Sequence, residues 1–228
     1  MNLTVCMAYT DAKYEKMARV AARSIRRNSP EANVRLKPAE DVGYHRNMGT
    51  RFLAYGDDSS DWVLACDTDI LCFMDLMPIA QRAEAEGLDF LGRVSGRYRT
   101  APRKFNLAKY AMLFRNYGLP ELTMHVPNVF LIRGSLSSQI SERAAYWTDH
   151  LYETNTHVLN KPVWSDQVAF TLALAETLNP SRMGFFEREE VSDAGPARKL
   201  SNRPYLIHYG TRRWQRLWAT GRILGMMR

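Results

Sequence analysis

The 228 residues are 46% hydrophobic and 24% charged, the balance of a soluble globular chain with enough apolar material for one well-buried core. No window approaches the roughly 18 consecutive apolar residues that would span a bilayer. The opening Met1-Asn2-Leu3-Thr4-Val5-Cys6 lacks the basic start and long apolar stretch of a secretory leader.

A net charge of +7 and a pI of about 9.4 suit anionic lipid head groups, phosphorylated substrates or nucleic acid. Recognised nucleic-acid motifs are absent and the cations flank an acidic pair, so nucleic acid is not expected as a partner. The three cysteines, Cys6, Cys66 and Cys72, each sit in an apolar run without CxxC spacing. They read as buried reduced thiols, and the expected location is cytoplasmic.

In chain order, Leu3 to Ala8 is a short apolar strand, and Asp11 caps a helix running from Lys13 to Asn28. Asn33 to Leu36 follows as a strand, giving a strand–helix–strand opening with a right-handed crossover. His45 to Tyr55 reads as a helix and Asp57 to Asp61 as a polar turn. Trp62 to Cys66 is continuously apolar, as in a central parallel strand covered on both faces. A helix over Pro78 to Glu86 is opened by proline and closed by Gly87. Leu88 to Leu91 is a strand, Asn106 to Tyr117 a helix stopped by Gly118, and Val126 to Ile132 another strand. Helices over Leu136 to Tyr152 and Ser165 to Glu176 precede a late strand at Tyr205 to Tyr209. The alternation predicts an α/β fold with helices on both faces of an open sheet, and residues 1–228 read as one domain.

Asp67-Thr68-Asp69 directly follows the Trp62–Cys66 run. Residues two apart in an extended segment point the same way, so both carboxylates converge at the C-terminal end of a buried strand. Ile70-Leu71-Cys72-Phe73 resumes the apolar pattern at once, so the acids interrupt a buried segment. Two close carboxylates are costly there, and a divalent cation such as Mg²⁺ or Mn²⁺ relieves that cost.

The stretch Trp62 to Leu71 resembles the strand and D-x-D signature of GT-A fold glycosyltransferases, and is most similar to family eight, which includes glycogenin-like and lipopolysaccharide galactosyltransferase-like enzymes. The similarity continues in the family's order through Pro127-Asn128-Val129-Phe130-Leu131-Ile132, Trp164-Ser165-Asp166-Gln167 and Leu206-Ile207-His208-Tyr209-Gly210. The opening Cys6-Met7-Ala8-Tyr9-Thr10-Asp11 resembles the nucleotide-binding end of the first strand.

This resemblance implies a GT-A fold with a mixed, mainly parallel sheet. The implied activity is metal-dependent transfer of a sugar from a nucleotide-diphosphate donor, a UDP-sugar favoured, with retention. Metal ligands would be Asp67, Asp69 and His208. Donor contacts would come from Ala8, Tyr9, Thr10, Asp11, Cys66, Asp67 and Thr68. Asn128, Asp166 and Gln167 would face the sugar and acceptor, which is a glycan, lipid-linked or protein group. Departures from the family pattern stand out: in a shortened histidine motif Gly210 comes two residues after His208 and Thr211-Arg212-Arg213-Trp214 replaces the usual lysine-containing ending. Arg212 and Arg213 then stand in for the phosphate-contacting lysine. Asn128 also lacks the usual Asn-Ala-Gly turn.

Several positions have a plain structural alternative. A lone histidine ending a strand is commonly a hydrogen-bonded structural residue, and Asp166 with Gln167 could simply cap a helix. Asp166 could equally act as an inverting base. A nucleotidyltransferase could use the same sheet, metal and nucleotide, although no G-x-G-x-x-[RK] loop occurs near the N-terminus. The segment 211–228 alternates arginines with Trp214, Leu217 and Trp218 at helical spacing. It reads either as a basic amphipathic helix for an anionic membrane or acceptor, or as a terminal helix packing its tryptophans on the domain.

Overall fold

The computed structural model describes residues 1–43, 47–94, 108–158, 161–162, 166–194, 204–210 and 214. A six-stranded sheet organises them, in the order β2-β1-β3-β6-β5-β9. These strands are β1 (Leu3–Tyr9), β2 (Asn33–Pro38), β3 (Trp62–Cys66), β5 (Phe90–Val94), β6 (His125–Arg133) and β9 (Met183–Phe185). β1 runs parallel to β2 and β3, and β5 runs parallel to β9. β6 alone is reversed, antiparallel to both β3 and β5. β3 is therefore central, as its unbroken apolar run predicts, but parallel to its neighbour on one side only.

A smaller sheet, β10-β11-β4, joins β4 (Ile70–Cys72), β10 (Val191–Asp193) and β11 (Leu206–His208). β10 and β11 are parallel, and β11 is antiparallel to β4. A two-stranded ribbon pairs β7 (His157–Val158) with β8 (Lys161–Pro162).

Side chains that alternate along each strand feed two separate cores. Cys6, Ala8, Val63, Ala65, Phe130 and Ile132 point to one face. There they meet α2 (Asn47–Leu53), α4 (Ala108–Asn116), α5 (Gly134–Glu153) and α6 (Asp166–Thr177). Val5, Met7, Trp62, Leu64, Cys66 and Leu131 point to the other face, against α1 (Ala12–Asn28) and α3 (Met77–Ala85). α6 is buried from Val168 through Ala175, which explains why its sequence shows no polar stripe. None of the described helices is long and apolar enough to cross a membrane.

Helix boundaries fall within about two residues of the sequence reading except where residues 44–46 and 106–107 lie outside the described set. Asp11 caps α1 as expected, its carboxylate accepting the backbone N–H groups of Lys13 at 2.8 Å and Tyr14 at 3.0 Å. One junction admits no side chain. A Cβ at Gly134, where β6 turns into α5, would lie 1.7 Å from the carbonyl oxygen of Ser60.

Candidate active site

Asp67 and Asp69 stand where the chain leaves one sheet for the other. β3 belongs to the six-stranded sheet and β4 to the small one, so the acidic pair occupies the crossing point. Antiparallel pairing of β4 with β11 sets His208 opposite Ile70, one residue from Asp69. The backbone N–H of Tyr209 donates to the Asp69 carbonyl at 2.9 Å and fixes that approach. Ligand atoms of Asp67, Asp69 and His208 consequently lie within 4.8 Å of one another. Asp69 is only 5% exposed.

A cleft of about 290 Å³ opens beside this cluster, lined by Ala8, Tyr9, Thr10, Tyr14, Asn47, Arg51, Asp67, Thr68, Asp69 and Asp166. The ends of β1 and β3 and the starts of α1, α2 and α6 thus meet at one place, at the C-terminal edge of parallel strands. Arg51 forms an ion pair with Asp67 and donates to the Tyr55 hydroxyl at 3.3 Å. Burial pushes the Asp67 carboxyl above its usual range, opposed by Arg51 and reinforced by Asp69. Burial likewise raises Asp166, against the Gln167 backbone N–H that donates to it at 2.8 Å and the nearby Arg51.

His208 is held on both ring nitrogens. Nδ1–H donates to Asp193 at 3.1 Å, and Nε2 lies 3.3 Å from Asp69 Oδ1. Burial alone would lower the imidazole pKa, but hydrogen bonds to Asp193 and Asp69 outweigh it and lift the value to about 10. Asp193 behaves reciprocally: burial would raise it, yet His208 and Arg93 hold it at about 2.

The sequence-predicted residues divide as follows. Ala8, Tyr9, Thr10, Asp67, Thr68, Asp69 and Asp166 line the cleft, with His208 beside Asp69. Asp11 commits its carboxylate to capping α1 and is not among the lining residues. The Cys66 thiol is fully buried in the core on the α1 side and offers the cleft no side chain. Gln167 follows Asp166 into α6 and does not line the cleft either. Asn128 accepts the Asp67 backbone N–H at 2.8 Å through its carbonyl, while its own side-chain oxygen is buried without a hydrogen-bond partner. Arg212 and Arg213 lie outside the described residues. Arg51, Tyr14, Asn47 and Asp193 were not singled out from the sequence. Arg51 and Asn47 belong to a helix that the apolar pattern does locate, but nothing local marks which of its side chains turns toward the acids.

The tail is described only at Trp214, which is 1% exposed and packs with Met17, Val20 and Leu71. That tryptophan serves the domain rather than a membrane surface, which removes part of the apolar face attributed to 211–228.

No protein-family model and no curated protein matches the chain. Solved structures do. The chain is similar to the galactosyltransferase LgtC, solved in complex with donor and acceptor sugar analogs, at 13% identity and a TM-score of 0.57 over 100% of this chain and 95% of that one. It is also similar to a glycosyltransferase involved in glycosylation of the major capsid of PBCV-1, at 9% identity and a TM-score of 0.64, covering 96% and 100% respectively. The fold is therefore the GT-A glycosyltransferase fold that the sequence motifs imply.

Proposed function

We propose that the chain is a metal-dependent glycosyltransferase that moves a sugar from a nucleotide-diphosphate donor, a UDP-sugar favoured, to a glycan, lipid-linked or protein acceptor. The observation that carries this reading is the convergence of Asp67, Asp69 and His208 beside a cleft ringed by Ala8, Tyr9 and Thr10. The donor set fits a divalent ion. Two carboxylates and an imidazole suit Mn²⁺ or Mg²⁺ with open positions left for phosphate oxygens. The mutual repulsion that helps push Asp67 up is the cost a cation removes. The cleft volume lies just under the lower bound of about 300 Å³ for small-molecule sites.

When bound, the ion would neutralise negative charge growing on the leaving diphosphate. The chain's own groups supply the rest. Tyr9 and Tyr14 line the cleft and would offer aromatic surface to a nucleobase, and the Thr10 and Thr68 hydroxyls would offer hydrogen bonds to ribose or phosphate. Arg51 pairs with Asp67, opposing the upward push of burial, and brings positive charge to the cleft wall. Asp166, at the start of α6, offers a carboxylate to sugar hydroxyls, and Asn128 has a buried amide oxygen to spare. Arg212 and Arg213, which follow β11 in the sequence, would contact the diphosphate in place of a lysine. Retention of configuration and a cytoplasmic setting belong to the same proposal.

Thermal-shift screening against UDP-, GDP- and CMP-sugars tests it. One donor class should raise the melting temperature, and only when Mn²⁺ or Mg²⁺ is present. Donor turnover should stop in excess chelator. Undiminished transfer without metal contradicts the proposal, and a response only to a sugar phosphate with a nucleoside triphosphate would point to nucleotidyl transfer instead.

The proton on His208 gives a second expectation. Metal binding requires a neutral imidazole, and with a pKa of about 10 that proton is present at neutral pH. Mn²⁺ affinity should thus rise about tenfold per pH unit between pH 6 and 8, as one proton is displaced. Stability of the metal-free protein should move the opposite way. A group whose pKa is raised on folding contributes stability that is complete below the unfolded value near 6.5 and lost as pH climbs toward 10. Calorimetric titration in buffers of different ionisation enthalpy counts the proton, and a pH-independent affinity would remove His208 from the ligand set.

A further inference from the structure

Asp193 and Arg93 lie outside every motif discussed above, yet they form the far side of the metal cluster. In the parallel pairing of β10 with β11, Asp193 stands directly opposite His208. One Asp193 oxygen accepts Nδ1–H of His208 at 3.1 Å. The other meets Nη2 of Arg93 at 3.0 Å. Arg93 comes from the six-stranded sheet, just past the irregularity where the register of β5 against β6 shifts between Leu91 and Arg93. Its side chain is 12% exposed, whereas that of Asp193 is 50% exposed. The less exposed cation therefore anchors the more exposed carboxylate, across the gap between the two sheets.

An imidazole has two nitrogens and one axis about which to turn. With Nδ1–H committed to Asp193, the ring presents Nε2 to Asp69 and to whatever lies between them. Without that acceptor, the ring can turn Nδ1 inward or leave the cluster, and either tautomer becomes available. Carboxylates that take the second N–H of a ligating histidine fix its orientation in this way.

We propose that Asp193, anchored by Arg93, is a positioning residue that orients His208 to ligate the ion through Nε2. The inference rests on the metal-site reading above. It adds that the small sheet's register, and not His208 alone, sets the affinity of the site.

Direct titration of the full chain with Mn²⁺, counting free ion by electron paramagnetic resonance, tests it without reference to turnover. Asp193→Ala should weaken Mn²⁺ binding about 10- to 100-fold, the usual cost of losing such a partner. Asp193→Asn keeps an oxygen for Nδ1–H and should recover most of that loss, binding within about fivefold of the natural protein. The same variant guards against a fold too weakened by alanine. The decisive arm is a double-mutant cycle. In a His208→Ala background, Asp193→Ala should change Mn²⁺ affinity by less than about twofold, because the residue acts through the ring. A loss that persists in that background would mean Asp193 acts only by its charge and would overturn the proposal, as would an Asp193→Ala protein with unchanged affinity. If the natural protein binds no Mn²⁺ at all, the metal site itself fails and this inference with it. If His208→Ala weakens binding and Asp193→Ala does not, only the positioning role is lost.

Discussion

Asp69→Ala is expected to lower nucleotide-sugar turnover by about 10³-fold while leaving the protein folded. Asp69 is 5% exposed at the crossing between the two sheets, and its oxygen lies 3.3 Å from His208 Nε2. Removing it takes away one of the three proposed ligands and the contact to the imidazole together. Loss of a single preorganised electrostatic contact typically costs roughly 10² to 10³ in rate, and each ~1.4 kcal/mol is a factor of ten. The fold has reason to survive. The contact that Asp69 makes to β11 runs through its backbone carbonyl, which accepts the Tyr209 N–H and is untouched by the substitution. Removing a buried negative charge beside Asp67 also relieves repulsion. The melting temperature of the metal-free variant should fall by no more than about 8 °C, since the lost contact to a charged imidazole costs about 2 kcal/mol and the relieved repulsion offsets part of it. Stabilisation by Mn²⁺ should vanish from the same protein. Steady-state turnover near the parental rate would sink the assignment, and a collapsed melting temperature would move Asp69 from chemistry to structure.

The acidic pair was legible because its signal is local. An apolar run, two carboxylates and a second apolar run occupy ten consecutive residues, and strand geometry alone turns both acids the same way. The main strands and helices were legible for a similar reason, since each carries its own period over five or more residues. Among the described three-residue strands, only β11 was. β4, β9 and β10 are too short for any period to register, and they exist because partners from distant segments satisfy their backbone groups. β4 shows this well: its apolar residues were visible as a resumed pattern, but nothing in them names β11 as the neighbour.

Asp193 was invisible on the same grounds. It sits in Glu189-Glu190-Val191-Ser192-Asp193, where an acid is unremarked, and only the register Asp193↔His208 gives it a role. Arg51 needed tertiary knowledge too, because its partner Asp67 is 16 residues away across a turn. Asp11 shows the ambiguity in the other direction. Its place after β1 suggested donor binding, yet the first free N–H groups of α1 claim its carboxylate. A capping aspartate and a ligand-binding one look alike until the helix that follows is seen.

Trp214→Ala is expected to lower the melting temperature by roughly 10 °C. The indole is 1% exposed and fills a pocket between α1 and β4, against Met17, Val20 and Leu71 with Tyr14, Phe73 and Tyr209 around it. The Tyr209 ring meets it edge-on at 6.2 Å, and the Trp214 backbone N–H donates to the Gly210 carbonyl at 3.0 Å, tying the tryptophan to the end of β11. Truncating a fully buried tryptophan to alanine costs about 3–5 kcal/mol. For a chain of this size each kcal/mol shifts the melting temperature by roughly 2–4 °C. Ending the chain after Gly210 removes the same side chain and should reproduce at least that loss, whereas Trp214→Phe should keep most of the contact. The consequence reaches the cluster, because Leu71 lies in the strand that follows Asp69 and pairs with β11. Loosening this pocket loosens the pairing that holds His208 opposite Ile70, so Mn²⁺ affinity should fall along with stability. A melting temperature unmoved by Trp214→Ala, in a protein whose sedimentation with anionic vesicles depends on that residue, would instead assign the tryptophan to a membrane surface. Loss of stability with no vesicle binding, even at low ionic strength, makes it part of the scaffold that keeps the two sheets in register.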